Sequence, residues 1–141
     1  MNNDKIKIVI ADDNLMVLKG IRNLIERVPN LVVIGEANNG KEAITLIETL
    51  SPDILILDIS MPVMDGLTAM RILRQKGCKV PVIILSGNND FDTVAESMKY
   101  GAHSYILKED APTNILKAIN KAYRGEVGSI SLGISKNNKL L

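Results

Sequence analysis

The chain has a single cysteine, Cys78, which excludes an internal disulfide and any multi-cysteine metal site and fits a reducing compartment. It has almost no charge imbalance. A formal net charge of +1 argues against a surface that binds nucleic acid mainly through phosphates. No apolar run approaches the ~20 residues of a membrane helix. The opening MNNDKIKIVIADD is too short in apolar length for a secretory signal and turns acidic at once. Internal repeats and low-complexity tracts are missing too. The expectation is one soluble cytoplasmic domain.

What is present is a core. Hydrophobic residues make up 46% of the 141 and charged residues 23%, an ordinary globular balance. Short aliphatic, β-branched runs at Ile6–Ala11, Leu31–Glu36, Ile54–Leu57, Val80–Leu85 and Ser104–Leu107 read as strands. Between and after them the apolar spacing is helical: Leu18, Ile21, Ile25 and Val28; Ala43, Ile47 and Leu50; Leu67, Met70 and Leu73; Phe91, Ala95 and Met98; Ile115, Ile119 and Ala122. Asn39 with Glu42, and Asp65, are N-terminal caps; Gly101 and Gly125 close the fourth and fifth helices, and Pro112 suits a first turn. Strands that are apolar at nearly every position are expected to be parallel and covered on both faces. The result is a doubly wound α/β sandwich of five βα units. From about residue 126 the composition turns to Gly, Ser, Asn and Lys, a linker or tail.

Polar residues then fall in a pattern. In open α/β sheets, ligands bind beyond the carboxyl ends of the strands. Strand one ends in Asp12-Asp13, strand three in Asp58, strand four in Ser86-Gly87 and strand five in Lys108. Asp58 should therefore emerge at the rim of the sheet rather than be buried. Three carboxylates at one edge repel each other and call for a cation. Hard oxygen donors, with no histidine or cysteine beside them, select Mg²⁺, Mn²⁺ or Ca²⁺ over zinc. An aspartate nucleophile, a hydroxyl and a lysine beside such a cation suggest a phosphoryl site. Taken one at a time, each residue has a plainer explanation. Asp12 or Asp13 could cap a helix, Ser86 could belong to a turn, and an isolated lysine is commonly a solvated charge. Their joint placement at four strand ends favours the site.

At this point the sequence resembles bacterial response-regulator receiver domains. The pieces that match are IVIADDN, LDISMPVMDG, VIILSG and YILKED, in order, over residues 1–125. The resemblance implies a flavodoxin-like fold with a parallel five-stranded sheet in the order 2-1-3-4-5. It implies that Asp58 accepts a phosphoryl group from a sensor histidine kinase. Asp12, Asp13, Asp58 and the Ser60 carbonyl would hold Mg²⁺, with Mn²⁺ able to substitute. Ser86 and Lys108 would contact the phosphoryl group, and Tyr105 would turn inward as Ser86 moves toward it. Such a domain signals, and catalyses only its own phosphorylation and dephosphorylation. Homodimerisation on phosphorylation is a further possible consequence.

The wording of GAHSYILKED and AYRGEVGSIS resembles the NarL/FixJ type, whose output is a LuxR-type DNA-binding domain. Residues 126–141 would then lead toward a C-terminal helix-turn-helix domain outside this chain, through which DNA is bound and transcription controlled. The alternative is a natural single-domain receiver that signals by protein contact. One departure is Glu109, which follows the lysine where the family often has proline; it leaves the geometry of the Lys108–Glu109 bond open. Two other classes fare worse. An aspartate-nucleophile phosphatase usually needs a carboxylate two residues after the nucleophile, where this chain has Ser60. A nucleotide-binding domain needs a glycine-rich first βα turn, where this chain has Ala11-Asp12-Asp13-Asn14.

Overall fold

The computed structural model describes residues 4–131. Strands β1 (Ile6–Ala11), β2 (Leu31–Ala37), β3 (Ile54–Leu57), β4 (Val82–Ser86) and β5 (Ser104–Leu107) alternate with helices α1 (Leu15–Glu26), α2 (Gly40–Leu50), α3 (Gly66–Gln75), α4 (Phe91–Lys99) and α5 (Ala111–Tyr123). A short 3-10 turn, Lys108–Asp110, joins β5 to α5, and a two-residue strand β6, Ile130–Ser131, follows α5. The sheet is parallel throughout, in the order β2-β1-β3-β4-β5-β6. Alternation of side chains along each strand divides the core in two. Ile8, Ile10, Ile56, Ile83 and Ile106 face α1 and α5; Val9, Leu55, Leu57, Val82, Ile84 and Tyr105 face α2, α3 and α4.

The expected flavodoxin-like sandwich is present, with three corrections. The sheet has six strands, not five. The outer edge of β5 would otherwise offer unpaired backbone groups, and the chain after α5 returns to pair with it. The rest of the expected tail, residues 132–141, lies outside the described residues. Strand β4 begins two residues later than Val80, because Pro81 has no N–H for the ladder.

The third correction concerns α4. Its buried stripe is Val94 and Ser97, with Met98 half-buried; Phe91 and Ala95 face out, Phe91 at 81% exposure. A serine can hold a core position here because its Oγ donates to Thr93 O at 2.8 Å. Elsewhere the predicted caps are in place. Asn39 Oδ1 accepts from Glu42 N at 2.9 Å, and Asp65 Oδ1 accepts from Thr68 N at 2.8 Å. No peptide bond among the described residues is cis, so Lys108–Glu109 is trans.

Candidate functional site

Two backbone bonds set the site. Beyond the last ladder residues, Asp12 N donates to Ala37 O at 3.0 Å and Asp58 N donates to Ala11 O at 2.9 Å. The sheet therefore holds both aspartates at its carboxyl edge, with their side chains on neighbouring strand ends. The first helix is capped by Asn14, not by an acid: Asn14 Oδ1 accepts from Met16 N at 2.9 Å and Val17 N at 3.2 Å. Asp12 spends only Oδ1 on the turn, accepting from Asn14 N at 2.8 Å. This leaves Asp12 Oδ2 and the whole of Asp13 for other work.

Asp58 does not emerge at the rim as the sequence suggested. It is 3% exposed and Asp12 2%, while Asp13 stands in solvent. Two buried carboxylates are tolerated because Lys108 reaches them. Its Nζ lies 3.0 Å from Asp12 Oδ2 and 3.4 Å from Asp58 Oδ2, while the lysine itself keeps 30% side-chain exposure. Burial pushes the Asp58 carboxyl up to about 6, the charge of Asp12 adds to this, and Lys108 works against it. For Lys108, burial pulls its pKa down, but the contact with Asp12 and the charges of Asp58 and Asp12 win, and the net direction is up.

The carboxylate oxygens fit a hard divalent cation. One oxygen from each of Asp12, Asp13 and Asp58 falls within 4.8 Å of the others. Asp12 Oδ2 is buried with no hydrogen-bond donor of sound geometry; the ammonium beside it is a charge contact only. Three carboxylates against one lysine leave a local charge deficit that one divalent cation would cancel, and an all-oxygen donor set suits Mg²⁺. Asp13 and Asp58 border a hollow of about 460 Å³ lined also by Asn14, Ser60, Ser86, Gly87, Asn88 and Lys108. Of the residues singled out from the sequence, Asp13, Asp58, Ser60, Ser86 and Lys108 thus line one hollow; Asp12 is buried next to it, 3.0 Å from Lys108, and Tyr105 is outside the lining.

Tyr105 is fully buried below, on the α4 side of the sheet. Its hydroxyl donates to the Asn88 carbonyl. The same residue holds Ser86, whose Oγ accepts from Asn88 N at 3.1 Å. Burial raises the Tyr105 phenol further. Sequence reasoning coupled Tyr105 to Ser86 only through the family resemblance. It did not see that the backbone of one residue, Asn88, links them, because backbone groups carry no sequence signal.

Gly66 was also missed. A Cβ on it would lie 2.1 Å from the Asp58 carbonyl oxygen, and Gly66 N donates to Ile59 O at 2.8 Å. The start of α3 is pressed directly onto the backbone of Asp58. The signal was present in Asp65-Gly66, but only its capping aspartate was used.

A doubly wound parallel sheet whose carboxyl edge carries paired acids, a buried aspartate, a serine and a lysine defines a receiver-type α/β domain. Residues 8–120 match the family described as the response regulator receiver domain, and the chain belongs to it. It is 37% identical over 126 residues to the nitrate/nitrite response regulator protein NarL of Escherichia coli K12, covering 89% of this chain and 58% of that protein. It is 38% identical over 121 residues to the transcriptional regulatory protein YdfI of Bacillus subtilis, covering 86% and 56%. The chain thus spans a little over half the length of these relatives.

Similar crystal structures include two of response regulators. One is a two-component response regulator of the LuxR family from Aurantimonas sp. SI85-9A1, with a TM-score of 0.85, 28% identity and 94% of each chain covered. The other is the non-phosphorylated receiver domain of the stress response regulator RcsB from Escherichia coli, with a TM-score of 0.81, 28% identity, and 90% and 98% covered. Among the described residues, no helix is long and apolar enough to cross a membrane.

Proposed function

We propose that this receiver takes a phosphoryl group onto Asp58 from the phosphohistidine of a sensor kinase. The observation that carries the reading is the buried Asp58 with Lys108 at 3.4 Å, beside the oxygens of Asp12 and Asp13. A carboxylate oxygen of Asp58 attacks phosphorus; the O–P bond forms as the donor's N–P bond breaks, and the imidazole leaves with the electron pair. Asp12, Asp13, Asp58 and the Ser60 carbonyl would hold Mg²⁺, which when bound supplies charge neutralisation between the acids and the incoming phosphoryl group. Lys108 takes up negative charge developing on the phosphoryl oxygens. Ser86 Oγ gives up Asn88 N for a phosphoryl oxygen. Tyr105, already inside and bonded to the Asn88 carbonyl, senses that exchange through the same residue. Later attack by water on phosphorus returns Asp58 to its carboxylate.

The output follows from the relatives, which are named as response regulators and transcriptional regulators. On this reading the switched surface acts on a C-terminal DNA-binding domain, and phosphorylation adds roughly −1.5 to −2 charge to bias it. The test is intact-mass spectrometry after incubation with acetyl phosphate, with and without Mg²⁺, beside Asp58→Asn. One phosphoryl adduct that needs Mg²⁺ and is lost in the variant is expected. A chain that stays unmodified with acetyl phosphate and with a range of purified sensor kinases would overturn the reading.

A further inference from the structure

The chain after α5 is seated on the sheet by an unusual set of contacts. Strand β6 pairs with β5 in the register Tyr105↔Ile130 and Ile106↔Ser131, and Tyr105 N donates to Ser129 O at 3.1 Å. Ser131 Oγ accepts from Asn114 Nδ2 at 3.1 Å and donates to Asp110 Oδ2 at 3.2 Å. His103 Nε2 lies 2.7 Å from Glu126 O, a carbonyl that can only accept, so that nitrogen carries the proton. Gly128 is pressed so close to His103 that a Cβ would stand 1.8 Å from the His103 carbonyl oxygen. The apolar side chains of the segment contribute little: Val127 and Ile130 are exposed. A segment held by a few polar contacts over little buried apolar surface belongs to the low-stability end of a fold.

We propose that residues 126–131 are a releasable strap whose seating on β5 is coupled to the occupancy of the Asp58 hollow; this rests on the phosphoacceptor reading. Both of its anchors lead back to the site. Tyr105 supplies the N–H for Ser129 O, and its hydroxyl sits on the Asn88 carbonyl, while Asn88 N holds Ser86. Asp110, which accepts from Ser131, lies two residues past Lys108 in the same 3-10 turn. The strap is seated in the arrangement where Lys108 bridges Asp12 and Asp58 and Ser86 bonds Asn88. A phosphoryl group on Asp58 offers Lys108 and Ser86 new oxygens and draws them out of that arrangement. Both anchors then shift together and the strap loosens. The coupling is reciprocal, so unseating the strap must favour the occupied hollow by the same factor.

The test uses the full 141-residue chain with Mg²⁺, adding beryllofluoride as the phosphoryl mimic, and reads the hydrogen exchange of the Tyr105 amide. Its exchange is expected to speed up about fivefold or more at saturation, while the amides of β1 and β3 stay protected. Gly128→Ala, which sets a methyl against the His103 backbone, should remove the Tyr105 protection without the mimic. It should also bind beryllofluoride about fivefold tighter or more. Ser131→Ala, which cuts only the ties to Asp110 and Asn114, should move both readouts the same way by less, and it carries the comparison if Gly128→Ala unfolds. Beryllofluoride that binds while Tyr105 protection is unchanged overturns the strap and leaves the phosphoacceptor reading standing. So does a variant that unseats the strap yet binds beryllofluoride with unchanged affinity. A chain that neither binds beryllofluoride nor gains a phosphoryl adduct overturns both.

Discussion

Gly66 approaches Asp58 so closely that a β-carbon on it would stand 2.1 Å from the Asp58 carbonyl oxygen. Helix propensity and packing make opposite predictions here. In an exposed helix, Gly→Ala gains about 1 kcal/mol. At this site, alanine must push α3 away from the strand end that carries Asp58. Gly66→Ala should lower stability by about 2 kcal/mol or more, in the range of overpacked cores, and slow phosphoryl uptake from acetyl phosphate. A stabilised variant in urea unfolding would show that the contact yields freely.

The pKa of Asp58 sets a pH dependence. Its folded value, about 6, lies above the ordinary carboxylate value of 3.8 because of burial first and Asp12 second. The folded protein therefore binds this proton more tightly than the unfolded chain, and stability falls as pH rises through about 6. The loss amounts to about 3 kcal/mol at most. Asp58→Asn removes the charge. In divalent-free buffer it should raise the melting temperature at pH 7, with a gain that shrinks toward zero near pH 4. Mg²⁺ should stabilise the parent more than the variant. A gain that is the same at pH 4 and pH 7 would contradict this origin.

Val63 sits at φ 70°, a left-handed conformation that β-branched residues avoid, and is 79% exposed. Met64 N donates to Pro62 O at 2.7 Å across it, which closes the rare, strained form of the three-residue turn. A non-glycine residue there costs roughly 1–2 kcal/mol. Glycine relieves it, at some cost in chain entropy. Val63→Gly and Val63→Asn should each stabilise by about 0.5–1 kcal/mol, and Val63→Ala by less. Thermal unfolding of the three side by side tests the order.

Arg74 ties the loop before β4 to the end of α4. Its guanidinium donates to Tyr100 O at 3.0 Å, Cys78 O at 3.1 Å, Val80 O at 2.8 Å and Gly101 O at 3.2 Å. Burial lowers its pKa, and these partners are carbonyls rather than carboxylates. Lysine cannot reproduce the planar fork. Arg74→Lys should cost about 2–3 kcal/mol, the range for hydrogen bonds to charged groups, seen as a lower urea midpoint at constant slope. A midpoint equal to the parent's would mean that solvent replaces the lost bonds.

The sequence by itself determined the alternation of strands and helices, since unbroken runs such as Ile54–Leu57 and helical spacing such as Leu18, Ile21 and Ile25 each leave one stable burial. It also determined which polar side chains stand at the strand ends, because a parallel sheet sends them all to one edge. The tertiary structure alone decided how deep they lie. Asp58 is buried because Lys108, fifty residues further along the chain, folds back over it to 3.4 Å. It also decided which face of α4 turns inward, where Ser97 could enter the core only once Thr93 O accepted its hydroxyl. The sixth strand was invisible for a related reason. A segment of two residues has no periodicity, and β6 exists because the edge of β5 can pair with it and Gly128, without a side chain, fits against the His103 backbone.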